Sequence, residues 1–151
     1  MTLRAVPVLP LSLVAAACLI AAACTTRSTP PAPRVLVANS WARIADSGAT
    51  SGVYLEITNN DTVAIMLVGV TTNAAAAAEV HETMQHEGMA HMMPRTELPI
   101  AAGAVLTMQP GGLHVMLVDL RRALAVGDSI RLQLHFGDST TVPVTVPVLT
   151  Q

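Results

Sequence analysis

The stretch SIRLQLHFGDSTTVPVTVPV, residues 129–148, decides the fold class. Its first half alternates without a break. Ile130, Leu132, Leu134 and Phe136 fall on one face, and Arg131, Gln133 and His135 on the other. A period of two is the signature of a half-buried strand. Gly137-Asp138-Ser139 then turns the chain. In the second half Val142, Val144, Val146 and Val148 share a face, so the whole reads as a β-hairpin. Pro143 and Pro147 cannot donate to a ladder, which predicts an edge strand for this second half.

The same punctuation recurs upstream. Residues 35–44 read as a strand, then Asp46-Ser47-Gly48 as a turn. Residues 52–58 alternate, with Val53, Leu55 and Ile57 opposite Tyr54, Glu56 and Thr58. Asn59-Asn60-Asp61 is a turn, and the apolar run 63–71 is expected to be a buried strand. Five alanines at 74–78 favour helix by propensity, but their neighbours suggest a connection or one helical turn. Residues 79–85 look extended, with a turn at Glu87-Gly88. Residues 99–103 read as a loop, 104–108 and 113–120 as strands, and Pro110-Gly111-Gly112 as the turn between them. About eight short strands at this spacing predict an all-β, single-domain, Greek-key sandwich or barrel.

The chain has 151 residues, enough for one domain with a real core. It is 52% hydrophobic yet only 2% aromatic, so the apolar mass is aliphatic. Net charge is −2 and lysine is absent, which leaves no basic patch for nucleic acid or anionic lipid. Nothing resembles a P-loop, a dinucleotide fingerprint or a nucleophile–base set, so an enzyme is not expected.

The N-terminus reads as a targeting segment. Arg4 precedes an apolar run at residues 8–23 that ends in Ala21-Ala22-Ala23-Cys24. Charged start, apolar middle and small-residue cleavage site make a secretory signal over residues 1–23. The run is about 16 residues long, short of the roughly 20 a membrane span needs. Cleavage before Cys24 would expose a cysteine for lipidation, although Ala21 stands where a leucine is usual. Ala15-Ala16-Ala17-Cys18 is a weaker candidate, and plain secretion is the alternative. Residues 24–34 carry Pro30, Pro31 and Pro33 and read as an extended tether. The folded domain is expected at 35–151, extracytoplasmic and membrane-associated only through that lipid.

Chemistry concentrates in VHETMQHEGMAHMMP, residues 80–94, and LHVM, residues 113–116. They hold His81, His86, His91 and His114, four of the five histidines, and Met84, Met89, Met92, Met93 and Met116, five of the eight methionines. The two cysteines, Cys18 and Cys24, both precede the expected domain. Thioether is a soft donor that favours Cu(I), and imidazole also suits copper. A thiol-free copper site fits an oxidising compartment. His114 and Met116, separated by one residue, project to one face of a strand.

Ten residues separate His81 from Met92, twenty-one separate Met92 from His114, and one separates His114 from Met116. This spacing resembles the His-X10-Met-X21-His-X-Met signature of periplasmic copper chaperones of the PCuAC type. The resemblance spans roughly residues 38–148. It extends to Trp41-Ala42-Arg43, Gly52-Val53-Tyr54-Leu55, Leu67-Val68-Gly69-Val70, Val80-His81-Glu82-Thr83, Pro110-Gly111-Gly112 and Gly127-Asp128. It implies a cupredoxin-like β-sandwich holding one Cu(I) through His81, Met92, His114 and Met116. It also implies delivery of copper to an acceptor protein, either the dicopper centre of cytochrome c oxidase subunit II or another chaperone; a monomer is expected. Ile65 and Met66 stand where the family often has an acidic residue.

Met66 and Met108 read as core filler, and His135 as a residue of a polar face. His86, His91, Met84, Met89 and Met93 are accessory metal candidates. Glu82 is a candidate to orient an imidazole from behind. Trp41 and Tyr54 read as core or site-edge residues. Three alternatives stand beside the carrier: a blue-copper electron carrier, which needs a cysteine ligand; a general copper buffer; and a β-sandwich interaction module that binds no metal.

Overall fold

In a computed structural model the chain is described over residues 32–86 and 88–150, with the His86 side chain left aside. The signal segment, Cys24 and most of the tether lie outside those residues. Ten strands follow in order: β1 (Val35–Arg43), β2 (Ser51–Asn59), β3 (Ile65–Thr72), β4 (Ala75–His86), β5 (Met89–Pro94), β6 (Leu98–Ile100), β7 (Val105–Met108), β8 (Leu113–Leu120), β9 (Ser129–Phe136) and β10 (Thr141–Leu149). There is no helix among the described residues.

The strands pair in the order β5-β4-β8-β2-β1-β10-β9-β3-β6, and β7 pairs the far end of β2. The run folds over as a cupredoxin-like sandwich. One layer is β5-β4-β8-β2-β1 with β7; the other is β10-β9-β3-β6. Their joint is a short parallel pairing of Ala42 and Arg43 with Val148 and Leu149. Between the layers lie Val53, Leu55 and Ile57 of β2, Val115 and Leu117 of β8, Leu132 and Leu134 of β9, and Val146 and Val148 of β10, all essentially inaccessible. The alternation read in residues 129–148 is the alternation of burial in β9 and β10.

Three expectations change. First, β10 is not an edge along its whole length, because its last two residues pair with β1. The prolines are tolerated by parity. The Val148 N–H donates to Asp128 O at 2.8 Å, so even-numbered N–H groups of β10 face β9. Pro143 and Pro147 fall where a donor would point away from that ladder. Second, the alanine run is strand. Ala75, Ala77 and Ala78 pair with Leu120, Val118 and Leu117 of β8, and this tertiary pairing outweighs helix propensity. Third, the run 63–71 is not buried on both faces: Val68 sits at a register shift between Leu67 and Gly69 and is exposed.

The turn at Asn59 is a structural knot. Its side chain is fully buried, and Nδ2 lies 2.8–3.1 Å from the carbonyls of Val63, Ile100 and Ala101. Its Oδ1 accepts from the Asp61 N–H at 3.0 Å. One amide thereby ties the β2–β3 turn to the segment after β6.

Candidate metal centre

The register of four neighbouring strands assembles the site. His81 of β4 is paired with His114 of β8 on one side and Pro94 of β5 on the other. Met92 is paired with Thr83, two residues beyond His81. Met116 is paired with Glu79 on one side and Gly52 on the other. Paired residues project to the same face, and the strand period is two. His81, Met92, His114 and Met116 therefore share one face. It is the face turned away from the core, since Val80, Val115 and Val53 alternate inward.

The two imidazoles are buried nonetheless, His81 at 9% exposure and His114 at 7%. Their ring centroids are 6.3 Å apart. The Tyr54 ring lies 6.2 Å from His114, and Trp41 lies 4.4 Å from Tyr54. Two of the chain's three aromatic residues thus wall the site rather than fill the core. Gly52 makes room for them: a Cβ there would stand 2.8 Å from Tyr54 Oη. Trp41 reaches this face through a bulge in β1 between Ala38 and Trp41, where Asn39 adopts φ +52°. Met92, His114 and Met116 line one hollow of about 520 Å³ with Tyr54, Gly52 and Arg43. Met116 is half-buried and Met92 is 59% exposed.

Hydrogen bonds fix how each ring presents itself. His81 Nε2 lies 2.9 Å from Glu79 Oε2, and an ionised carboxylate only accepts. Nε2 therefore carries the hydrogen and Nδ1 keeps its lone pair. That Nδ1 is buried and meets no hydrogen-bond partner. His114 is arranged the other way round: Nδ1 lies 3.0 Å from the Gly112 carbonyl, so Nδ1 donates and Nε2 keeps the lone pair. Each ring is held through one nitrogen and leaves the other without a protein partner, the usual arrangement of a metal-ligating histidine. An orphaned lone pair costs about 1–3 kcal/mol in a folded protein, and a metal ion would relieve that cost. Two imidazoles with two thioethers suit Cu(I). Among the described residues no three His, Cys, Asp or Glu side chains gather into a harder site.

The orienting carboxylate is Glu79, not Glu82. Glu82 is paired with Met93 on the opposite face and meets Arg95 at 3.4 Å. Two positions back along a strand is the same face, so the extended reading of residues 79–85 already places Glu79 beside His81. The accessory candidates separate as well. Met84, His91 and Met93 occupy the opposite face of the β4–β5 hairpin by register, and Met89 is paired with His86 there. His135 lies in the other layer, bonded to Thr71 and Thr141, and Met108 is core, both as read.

Fold and site together define a cupredoxin-like sandwich with a His/Met face, in accord with the PCuAC resemblance. The chain belongs to the family described as "Putative lipoprotein LpqE-like", whose model matches residues 35–148. It is 36% identical over 115 residues to "Putative lipoprotein Lxx21020" of Leifsonia xyli, covering 76% of this chain and 69% of that one. Among solved structures it is similar to the copper-bound PCuAC domain from PmoF2, at 21% identity and a TM-score of 0.65 over 79% of this chain and 95% of that one. It is also similar to the Cu(I) form of DR1885 from Deinococcus radiodurans, at 30% identity and a TM-score of 0.55 over 76% and 79% of the two chains.

Proposed function

We propose that this protein is an extracytoplasmic Cu(I) carrier that binds one ion through His81, Met92, His114 and Met116 and passes it to an acceptor protein. The observation that carries the reading is the His81–His114 pair. Each ring is tied through one nitrogen to a backing acceptor, and both share a face with two thioethers. Its likeness to Cu(I)-DR1885 supports the choice of ion. Copper here is cargo, so the protein's own part is to hold and release it. Four neutral donors bind a soft monovalent ion without trapping it. An acceptor bearing thiolates, such as the dicopper centre of cytochrome c oxidase subunit II, would hold copper more tightly and draw it away. The family description and the Leifsonia relative support a lipid anchor at Cys24, which would keep the domain at the membrane after removal of residues 1–23.

The test is transfer. Cu(I)-loaded protein is mixed with the soluble apo-domain of a dicopper acceptor, and growth of the acceptor's purple absorption is followed after oxidation. Met92→Leu with Met116→Leu keeps side-chain volume and removes both sulfurs, so Cu(I) binding should weaken far more than Cu(II) binding. Unchanged Cu(I) affinity in that variant would make both methionines bystanders. Tight loading with no transfer to any thiolate acceptor would leave a copper buffer.

A further inference from the structure

The β4–β5 hairpin has a second face that the site above does not use. Pairing of β4 with β8 ends at Glu82 opposite Leu113. Thr83 makes one more bond on that side, its N–H donating to the Gly112 carbonyl at 3.1 Å, and from Met84 to His86 β4 is paired only with β5. The ribbon therefore overhangs the sandwich. On the face opposite to Met92, Met84 stands directly across from His91, and Met93 lies two residues from His91 on the same side. These three side chains line one shallow hollow with Gln85 at its rim.

Met84 and Met93 are half-exposed, so they are not core filler. Met84, Met89, Met92 and Met93, half of the chain's methionines, are exposed large apolar residues on this one ribbon, a concentration that marks a binding surface. The carboxylate on this face, Glu82, is engaged by Arg95. The metal donors lining the hollow are two thioethers and one imidazole, neutral and soft. That donor set disfavours zinc and the hard cations and suits Cu(I), whose filled d shell imposes no fixed geometry.

We propose that Met84, His91 and Met93 form a second, weaker Cu(I) site on the back of the hairpin. Met92 and Met93 are consecutive and point to opposite faces, so the two sites would lie back to back across one ribbon.

Anaerobic Cu(I) titration of the mature protein against a weak chromogenic chelator tests this. The wild type should take up two equivalents, one tight and one weak. The Met84→Leu, His91→Ala, Met93→Leu variant should lose the weak equivalent and keep the tight one. His114→Ala with Met116→Ala should lose the tight equivalent and keep the weak one, so the two sites fail separately. Methyl resonances of Met84 and Met93 should shift only during the second equivalent. Uptake of a single equivalent by the wild type overturns the proposal, and so do two equivalents that survive the triple substitution.

Discussion

Replacing Glu79 by alanine isolates one contact of the metal face. Glu79 accepts the His81 Nε2–H at 2.9 Å and stands across the ladder from Met116. Without the carboxylate, His81 Nε2 loses its acceptor. The hydrogen is then free to move to Nδ1, and the donor nitrogen to turn away. Loss of such a backing partner typically costs 10–100-fold in metal affinity. The Glu79 side chain is 53% exposed, so water can replace it in part, which places the cost at the lower end. Glu79→Ala should weaken Cu(I) binding about tenfold, or about 1.4 kcal/mol. Glu79→Gln retains an acceptor oxygen and should fall between. Glu82→Ala is the control: Glu82 lies three residues away in sequence but on the other face, and its loss should leave the first equivalent unchanged. Competition with a Cu(I) chelator reads all three. Equal affinities for wild type and Glu79→Ala, or a larger loss from Glu82→Ala, would refute the assignment of faces.

Other sites give independent checks. Gly52→Ala puts a Cβ 2.8 Å from Tyr54 Oη, and Tyr54 is backed by Trp41; overpacking should cost about 1–3 kcal/mol in urea unfolding and weaken Cu(I) binding with it. Asn59→Asp sets a carboxylate against three carbonyl oxygens and should cost about 3 kcal/mol or more; since only the protonated form can donate, the deficit should shrink as pH falls from 8 to 5. Asp138 is held down to about 2 by the Thr140 N–H and then by Arg34. A lowered carboxylate stabilises the fold fully above its ordinary 3.8, and that stability is lost as pH falls towards 2. A carboxyl NMR titration should show this directly, and Arg34→Ala should raise Asp138 only part of the way, because the larger cause remains.

The fold was legible where side chains carry the period of two. Residues 129–136 alternate with branched or bulky apolar groups, residues 113–120 are an apolar run that opens at the Pro110-Gly111-Gly112 turn, and both strands run as read. Alanine carries almost no such signal. At 74–78 its propensity pointed to helix, while the pairing with β8 was set by residues more than thirty positions away. Residues 79–85 read as extended, and the period of two there already places Glu79 with His81 and Glu82 opposite; the bond from Glu79 to His81 Nε2 is what the structure adds. The His/Met spacing was legible because a strand fixes the faces of His114 and Met116 locally. The division between Met92 and Met93 came from the spacing resemblance alone, and the register between β4 and β5 supplies its physical reason. The bulge at Asn39 was also hidden: an asparagine that adopts positive φ leaves no mark in the sequence that tells it from an ordinary strand residue.

The four donors differ in how firmly they are held, and the difference gives copper a direction of travel on the proposed reading. His81 and His114 are buried, walled by Tyr54 and Trp41, and held through one nitrogen each by Glu79 and the Gly112 carbonyl. Met116 is half-buried on the same central strand as His114. Met92 alone sits on the overhanging ribbon, 59% exposed, with no strand of the sandwich beside it except β4. An incoming sulfur ligand can approach copper without unpacking anything only from Met92's side. Exchange would therefore begin by displacing the Met92 thioether, a neutral donor whose departure leaves no buried charge behind. The imidazoles would then let go last, once an acceptor thiolate already holds the ion. Copper would pass between proteins without being released to water.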